Sequence, residues 1–436
     1  GLKETVWVEL TPLSNKPAPV GRCGHVAVPS HDGSNLIVIG GYHEEGLLGD
    51  VWSFDLETCT WSTINIPGQA PPLRAFFRGC AGPPPGKKSG ESYNKEGIFA
   101  YVFGGCDEDE FSNDLWCLDL EDRVWSITHQ GGNDPAVPVP RGNHGMCAMN
   151  SNLVVHGGEI AAGDLLGDFW TFDTSSLTWS KRLLNPTGPG PCPRSSHCLT
   201  FVASSTSMGE GTLAIFGGMG NLGGNMESDP VPLNDLWVCT NATRSGTGVG
   251  LGERSWNWSL VLLEGIGPSP RSLAALVAAM PSDLSDVEEA HSGDDQIITE
   301  ADLFVFGGYG LVELPPPDET RDSLQSNTDI IEDGGRIITA YLDDLWTLDL
   351  GRCHSGLDVV DSGRVGEEGV EDSRGRFRGW VDEAGMGFEG ESPVEGRNGH
   401  SLVVCGRGRQ LILFGGFVGD GFDSRVYSAD LPLSRG

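Results

Sequence analysis

No long apolar run exists in this chain. The longest clearly apolar stretch, Leu273–Met280, falls far short of the roughly 20 residues a membrane-spanning helix needs. Positive charge is scarce: 28 Lys and Arg stand against 61 Asp and Glu, a formal net charge of −33. A nucleic-acid binder answers phosphate charge with Lys and Arg, and an anionic membrane surface asks for the same, so neither partner is expected. Few windows carry the 3.6-residue apolar period, which argues against long helices. The 11 cysteines contain no CxxC pair, so the usual zinc-binding frame is missing. Their odd number, and the position of several inside apolar runs, reads as small hydrophobes in a reducing compartment. A cytoplasmic location is expected on that ground. Nuclear and secreted settings stay open, because the sequons Asn241-Ala242-Thr243 and Asn257-Trp258-Ser259 are present. The chain starts at Gly1 rather than Met, which leaves room for a processed front segment or a flanking domain.

What is abundant is glycine, 64 residues, beside 27 prolines and a hydrophobic share of 38%. That mixture fits many short strands joined by turns. The stretch from Arg141 to Ser180 shows the unit: four short runs, β-branched or aromatic, each bounded by Gly, Asn, Asp or Ser. A lone four-stranded sheet of this size cannot bury both faces, so it requires copies of itself on either side.

Copies are present. An apolar run ending in Gly-Gly recurs at Gly40-Gly41, Gly104-Gly105, Gly157-Gly158, Gly217-Gly218, Gly307-Gly308 and Gly415-Gly416. Downstream of each lies an Asp-plus-aromatic strand: DVWSFDL, NDLWCLDL, GDFWTFD, NDLWVCT, DDLWTLDL and SRVYSADL. A later Trp follows at Trp61, Trp125, Trp179, Trp258 and, in the fifth copy, Trp380. An Arg precedes each doublet: Arg22, Arg74, Arg141, Arg194, Arg271 and Arg397. The sixth copy runs out after its third strand. Its missing fourth strand has a candidate at the other terminus, Thr5–Leu10, and pairing of the two ends would close the array and remove any need for caps.

The Gly-Gly doublet, the DLW-type third strand and the later Trp together resemble the kelch-repeat family, and the resemblance covers essentially the whole chain. It implies an all-β fold: a six-bladed kelch β-propeller of four-stranded antiparallel blades, the inner strands lining a central channel. The expected blades are about 22–65, 74–129, 141–183, 194–263, 271–384 and 397–431 plus 5–10, forming one domain over 1–436. Glycines would permit positive φ at crowded turns, while third- and fourth-strand aromatics would fill the wedge between blades. Three positions depart from the pattern: Phe77 and Ala274 where other copies carry His, and Tyr427 where others carry Trp.

Doublet spacing exceeds the roughly 50-residue kelch unit throughout, most of all around Gly307. Segments 83–96, 241–256, 281–301 and 351–378 are assigned to connections on one face. Segments 219–233 and 309–342 fall on the opposite face with the six arginines. Blade 5 carries three of these insertions, rich in acids, with Pro315-Pro316-Pro317 in one. Such loops serve either as binding elements or as solvated spacers, and the spacer reading is preferred.

The six arginines are the candidate partner-binding residues, since the resemblance implies that one mouth of the channel takes peptide partners, often acidic ones. The alternative is that an Arg in every blade is structural, pairing with a neighbouring carboxylate or carbonyl. His25, His144, His197 and His400, three residues after their arginines, read as packed side chains, since nothing gathers three of them round an ion. Some enzymatic propellers of related fold carry metal sites with recognisable residue sets. A galactose-oxidase-like copper site needs Tyr and His in a set that six tyrosines do not supply. The iron segment of nitrile-specifier proteins, Glu-x3-Asp-x3-His, starts at Glu110 and Asp114 but meets Leu118. The expectation is therefore a non-catalytic interaction module without metal or cofactor. It would bind a protein partner, as a peptide segment, at the mouth or at the blade 5 loops, and would belong to a longer chain or complex. A fixed subunit of a large complex and a metal-dependent kelch enzyme are the alternatives.

Overall fold

The inner strand of the third unit, Gly145–Met149, pairs antiparallel with Asn152–Glu159, that with Leu165–Asp173, and that with Thr178–Lys181. Each is short and alternates in side-chain direction, so one face of the little sheet meets the unit before it and the other the unit after. The computed structural model describes residues 6–12, 16–86, 98–107, 110–182, 189–203, 211–221, 229–242, 255–262, 267–279, 302–314, 328–330, 336–349, 381–382, 394–406, 410–419 and 421–431.

Among these residues the same four-strand meander recurs. The inner strands are Val26–Pro29, Arg78–Gly82, Gly145–Met149, Cys198–Ala203, Ala275–Ala279 and Ser401–Cys405. Each touches the next, and Ser401–Cys405 returns to Val26–Pro29, so the inner strands form a closed circuit. The last sheet is completed from the far end of the chain: Trp7–Glu9 pairs with Val426–Asp430, Trp7 opposite Ala429 and Glu9 opposite Tyr427. The expected joining of the termini is therefore present, with Thr5 outside the described residues.

The apolar core lies between sheets. In one wedge Phe103 and Leu153 pack with Trp170 and Trp179, and in another Val38 and Trp61 pack with Phe414. The fourth-strand tryptophans reach across to the preceding sheet: Trp61 to Phe414 at 5.1 Å, Trp179 to Phe103 at 5.1 Å, Trp7 to Phe306 at 5.3 Å. The ring just before the Gly-Gly at Phe103, His156, Phe306 and Phe414 is thus the partner of the next unit's outer Trp. Trp380 lies outside the described residues, although Val381–Asp382 does pair with the third strand beside Trp346.

Gly157-Gly158 shows why the doublet recurs. Both glycines have positive φ, 61° and 100°. A Cβ on Gly157 would come within 2.7 Å of the Arg194 carbonyl and 3.0 Å of the His197 ring, both from the following sheet. One on Gly158 would meet His144 of its own sheet at 2.8 Å. In the four units that carry it, His25, His144, His197 and His400, the side chain therefore leans from its own second glycine toward the previous sheet's first glycine.

Two insertion assignments are corrected. Segment 309–342 is not a loop over its whole length: Asp302–Leu314 continues past Gly307-Gly308 and pairs with Arg336–Asp349 as far as Leu314 opposite Arg336, with Thr328–Ile330 added beside it. Its residues YGLVEL and RIITAYL carry the β-branched and aromatic content of strands, which length alone concealed. Segment 219–233 likewise begins and ends in paired strand, Gly220 opposite Val231. Segments 281–301 and 351–378, the rest of the blade 5 insertions, lie outside the described residues, as does most of 83–96.

Candidate functional site

The six recurrent arginines enter the sheets rather than the mouth. Arg22, Arg141, Arg194 and Arg397 have no exposed surface, and Arg271 and Arg74 almost none. In five units the guanidinium grips one aspartate with both Nη atoms. Nη1 lies 2.6 Å from Asp50, 2.6 Å from Asp168, 2.7 Å from Asp235 and 2.5 Å from Asp344, and Arg74 pairs with Asp114 in the same way. Nη1 also donates to the carbonyl of the first doublet glycine, at 2.9 Å for Gly157, and Nε donates to a carbonyl two residues back. The same aspartate accepts from the indole Nε1 two residues on, as Asp168 does from Trp170 at 2.7 Å. This explains the D-x-W spacing: the carboxylate joins the inner segment to the third strand through a bidentate, charge-assisted pair. Burial pushes the Asp168 carboxyl up, but the Arg141 hydrogen bonds and charge and the Trp170 indole outweigh it and hold it below the usual carboxylate range.

The last unit is built differently. Arg425 stands where others have Asp, so Arg397 turns to Asp423, at 2.8 Å, and stacks on Tyr427 with its guanidinium carbon 5.1 Å from the ring centre. Its Nη2 has no partner.

Such geometry accounts for a sixfold recurrence without any ligand. The partner-contact role assigned to Arg22, Arg74, Arg141, Arg194, Arg271 and Arg397 meets a physical obstacle, because a partner reaching these groups would first have to displace the paired carboxylate. The structural alternative, a neighbouring carboxylate and carbonyl, describes what each arginine touches.

Between the arginines and the inner strands runs a circle of left-handed residues. Gly24, Phe76, Asn143, Ser196, Leu273 and Gly399, each two positions after its Arg, have φ between 52° and 61°. Their backbones link sheet to sheet around the channel: Gly24 N–H donates to Gly399, Gly399 to Leu273, Leu273 to Ser196, Ser196 to Asn143 and Asn143 to Phe76, at 2.7–3.1 Å. Holding Phe76 and Leu273 there costs about 1–3 kcal/mol each, which the packing of the neighbouring sheets sustains.

Inside this collar sits a cavity of about 150 Å³ lined by Gly24, Arg78, His197, Leu273 and His400, among others. Arg78 is the residue that sequence reasoning missed. It occupies the position that other inner strands fill with Val26, Gly145, Cys198, Ala275 and Ser401. Half-buried, it donates only a 3.5 Å contact to the adjoining Phe77 carbonyl, and among the described residues no carboxylate pairs with it. Burial pulls its pKa down, while Cys198, Glu159 and Cys23 act the other way without bonding it. Comparing the fourth residue after each recurrent Arg would have exposed it in the sequence.

The histidines are neutral packing elements. Burial, aided by nearby arginine charge, drives His25, His144 and His197 well below the usual imidazole range and His400 to about 3. His156 Nδ1 lies 3.1 Å from His197 Nε2, and burial takes His156 to about 3. Among the described residues no three His, Cys, Asp or Glu side chains gather round a common ion position. Ten cysteines are free thiols there.

A closed circuit of four-stranded antiparallel sheets, wedge-packed by aromatics around an axial channel, defines a β-propeller. The KLHDC2/KLHL20/DRC7 Kelch-repeats domain matches residues 2–208, just under half of the chain. Host cell factor 1 of Homo sapiens is 28% identical over 336 residues, 71% of this chain and 15% of that protein. Kelch domain-containing protein 3 of Bos taurus is 28% identical over 214 residues, 46% of this chain and 50% of that protein. The chain thus spans half or less of either relative. The repeat and the propeller are those of kelch-repeat proteins, to which the chain is similar over these stretches.

Proposed function

We propose that the propeller holds an acidic peptide segment of a partner protein at the channel mouth, with Arg78 as the receiving cation. One observation carries this reading: seven arginines stand at or beside the inner strands, and Arg78 alone faces the cavity with no carboxylate partner among the described residues. A half-desolvated guanidinium is favoured by an incoming carboxylate far more than a solvated one, because the low local dielectric strengthens the pair. The six arginines of the earlier expectation support the mouth from within the sheets.

The same reading takes the domain as one six-bladed unit over 1–436, non-catalytic, without cofactor, and cytoplasmic, the last supported by the free thiols. It takes neither nucleic acid nor membrane as a partner, in keeping with the −33 charge. A fixed place in a larger assembly is the second reading.

Co-purification from cells with quantitative mass spectrometry tests the proposal. Wild type should recover a partner set that Arg78→Met loses, with both proteins equally folded. Recovery of the same set by Arg78→Met would place the contact elsewhere.

A further inference from the structure

The residue that follows each Gly-Gly doublet lies on the face of the mouth, beside the segment that carries the recurrent Arg: Tyr42 bridges Cys23, and Tyr309 lies opposite Ser272. Around the circuit this position reads Tyr42, Cys106, Glu159, Met219, Tyr309 and Phe417. The aromatics are therefore not scattered. They occupy three consecutive sheets, the fifth, sixth and first, while the opposite half carries Cys, Glu and Met.

Added rings turn these three into one arc. Tyr309 meets Tyr341 at 5.3 Å, Tyr341 meets Phe417 at 5.8 Å, and Phe417 meets Phe422 at 5.2 Å. Phe422 then meets both Tyr42 at 5.7 Å and His43 at 5.4 Å. None of the six is fully buried, and Tyr42 keeps 36% of its surface exposed. These contacts run across two sheet boundaries, where the wedge core already holds the sheets together through other residues, such as Trp7 with Phe306 and Trp61 with Phe414. The arc is thus aromatic surface beyond what that packing requires.

Its charge setting is one-sided. Glu44 and Glu45 are exposed immediately after His43, and Glu395 is 60% exposed at the sixth sheet. The neighbouring cation, Arg425, is already held by Asp423 at 2.9 Å and lies 3.4 Å from Glu395. Electron-rich ring faces within an acidic rim attract planar cations, and guanidinium both stacks on the rings and pairs with carboxylates.

We propose that this aromatic arc is a docking surface for an arginine-bearing basic segment of a partner protein, lying beside the channel mouth across the fifth, sixth and first sheets. It is a surface separate from the Arg78 cavity and stands whether or not Arg78 takes a carboxylate.

The test uses the whole chain and fluorescence anisotropy with a labelled Arg-Gly repeat peptide of four arginines. Lys-Gly and Glu-Gly peptides of equal length are run beside it. Salt is set near 0.3 M, where a Debye length of roughly 6 Å suppresses diffuse attraction to the acidic chain. The arginine peptide should bind more tightly than the lysine one, and the glutamate peptide should not bind. Tyr42→Leu with Phe422→Leu keeps apolar volume but removes two ring faces, and should weaken the arginine peptide about tenfold. Glu159→Gln, on the opposite half, should leave it unchanged. If the double variant melts early, Tyr42→Leu alone, at the most open ring, should still lose about threefold. Equal binding to the ring variants, or equal binding of the glutamate peptide, would overturn the proposal. So would a concentration-dependent dimer abolished by the same variants, since the arc would then be covered by a second copy.

Discussion

Inside the sheets an arginine is a structural joint; in the channel it is an unanswered charge. Arg141 has no exposed surface, a bidentate aspartate, a glycine carbonyl and an indole sharing that aspartate. Arg78, at the start of the second unit's inner strand, has a long contact to its own neighbour's carbonyl. The two differ in recurrence as well as in partners. What every unit repeats is what every unit needs in order to fold, and what one unit alone carries is free to serve something else. The contrast makes Arg78 a better marker of binding than the six arginines that first attract attention.

The sharpest way to break the comparison is to open the circuit that holds both. Removing residues 1–12 deletes the fourth strand of the last sheet and takes Trp7, 6% exposed, out of its contact with Phe306. Loss of that Trp alone costs about 3–5 kcal/mol, and the strand's backbone bonds go with it. Thermal unfolding should move down by well over 10 °C or lose cooperativity, in both the sheets and the channel. An unchanged transition would mean that the ends contribute little to closure.

Acid comes next, acting on the histidines that stand between joint and channel. His25, His144, His156, His197 and His400 are all neutral in the fold, with pKa values below the ordinary 6.5, about 3 for His156 and His400. Their folded pKa values are depressed, so the unfolded chain binds more protons below pH 6.5. Stability is then complete above pH 6.5 and falls as pH drops toward 3, each histidine adding up to about 1.4 kcal/mol of loss per pH unit. Urea midpoints should decline steeply from pH 6.5 to 4.5. Replacing His156 by Phe, the residue found there as Phe103, Phe216, Phe306 and Phe414 in other units, should remove one histidine's share of the slope. A midpoint that is flat over this range would show the imidazoles to be solvated.

Arg141→Ala tests the joint itself. It strands Asp168 beside Trp170 and should cost about 3–5 kcal/mol by urea denaturation, the loss expected on removing one partner of a buried pair. Arg397→Ala should cost less. Its Nη2 is unpaired, and Asp423 retains the Arg425 guanidinium at 2.9 Å after the change. Equal losses would mean that carboxylate geometry matters little beside simple packing.

Much of this was readable in the residues. The Gly-Gly doublets, the D-x-W strands and the terminal strand all state local needs: positive φ, a paired carboxylate, an aromatic wedge. Repetition makes such needs visible, and the pairing of Trp7–Glu9 with Val426–Asp430 followed from a missing strand alone. Three features stayed hidden. The strand content of 309–314 and 336–342 was masked by the length of the segment around it. The left-handed collar escaped notice because Phe76, Asn143, Ser196 and Leu273 share a conformation without sharing chemistry. Arg78 and the aromatic arc are departures from the repeat, and a search for what recurs passes over them. The partner is not encoded in the fold's requirements at all, since a propeller closes equally well around an empty or an occupied mouth.

The smallest expected effect on stability is also the most telling. Arg78→Met keeps the length and apolar stem of the side chain and removes a half-buried charge that no described carboxylate pairs with. An interior arginine changed in this way, Arg141→Met, should lose about 3 kcal/mol or more because it orphans Asp168. Arg78→Met should shift the urea midpoint by less than about 0.5 kcal/mol, or raise it, because desolvation of an unpaired cation no longer opposes folding. If Arg78→Met proves as costly as Arg141→Met, then Arg78 is a seventh joint, and the distinction between repeated and solitary arginines fails where it was drawn.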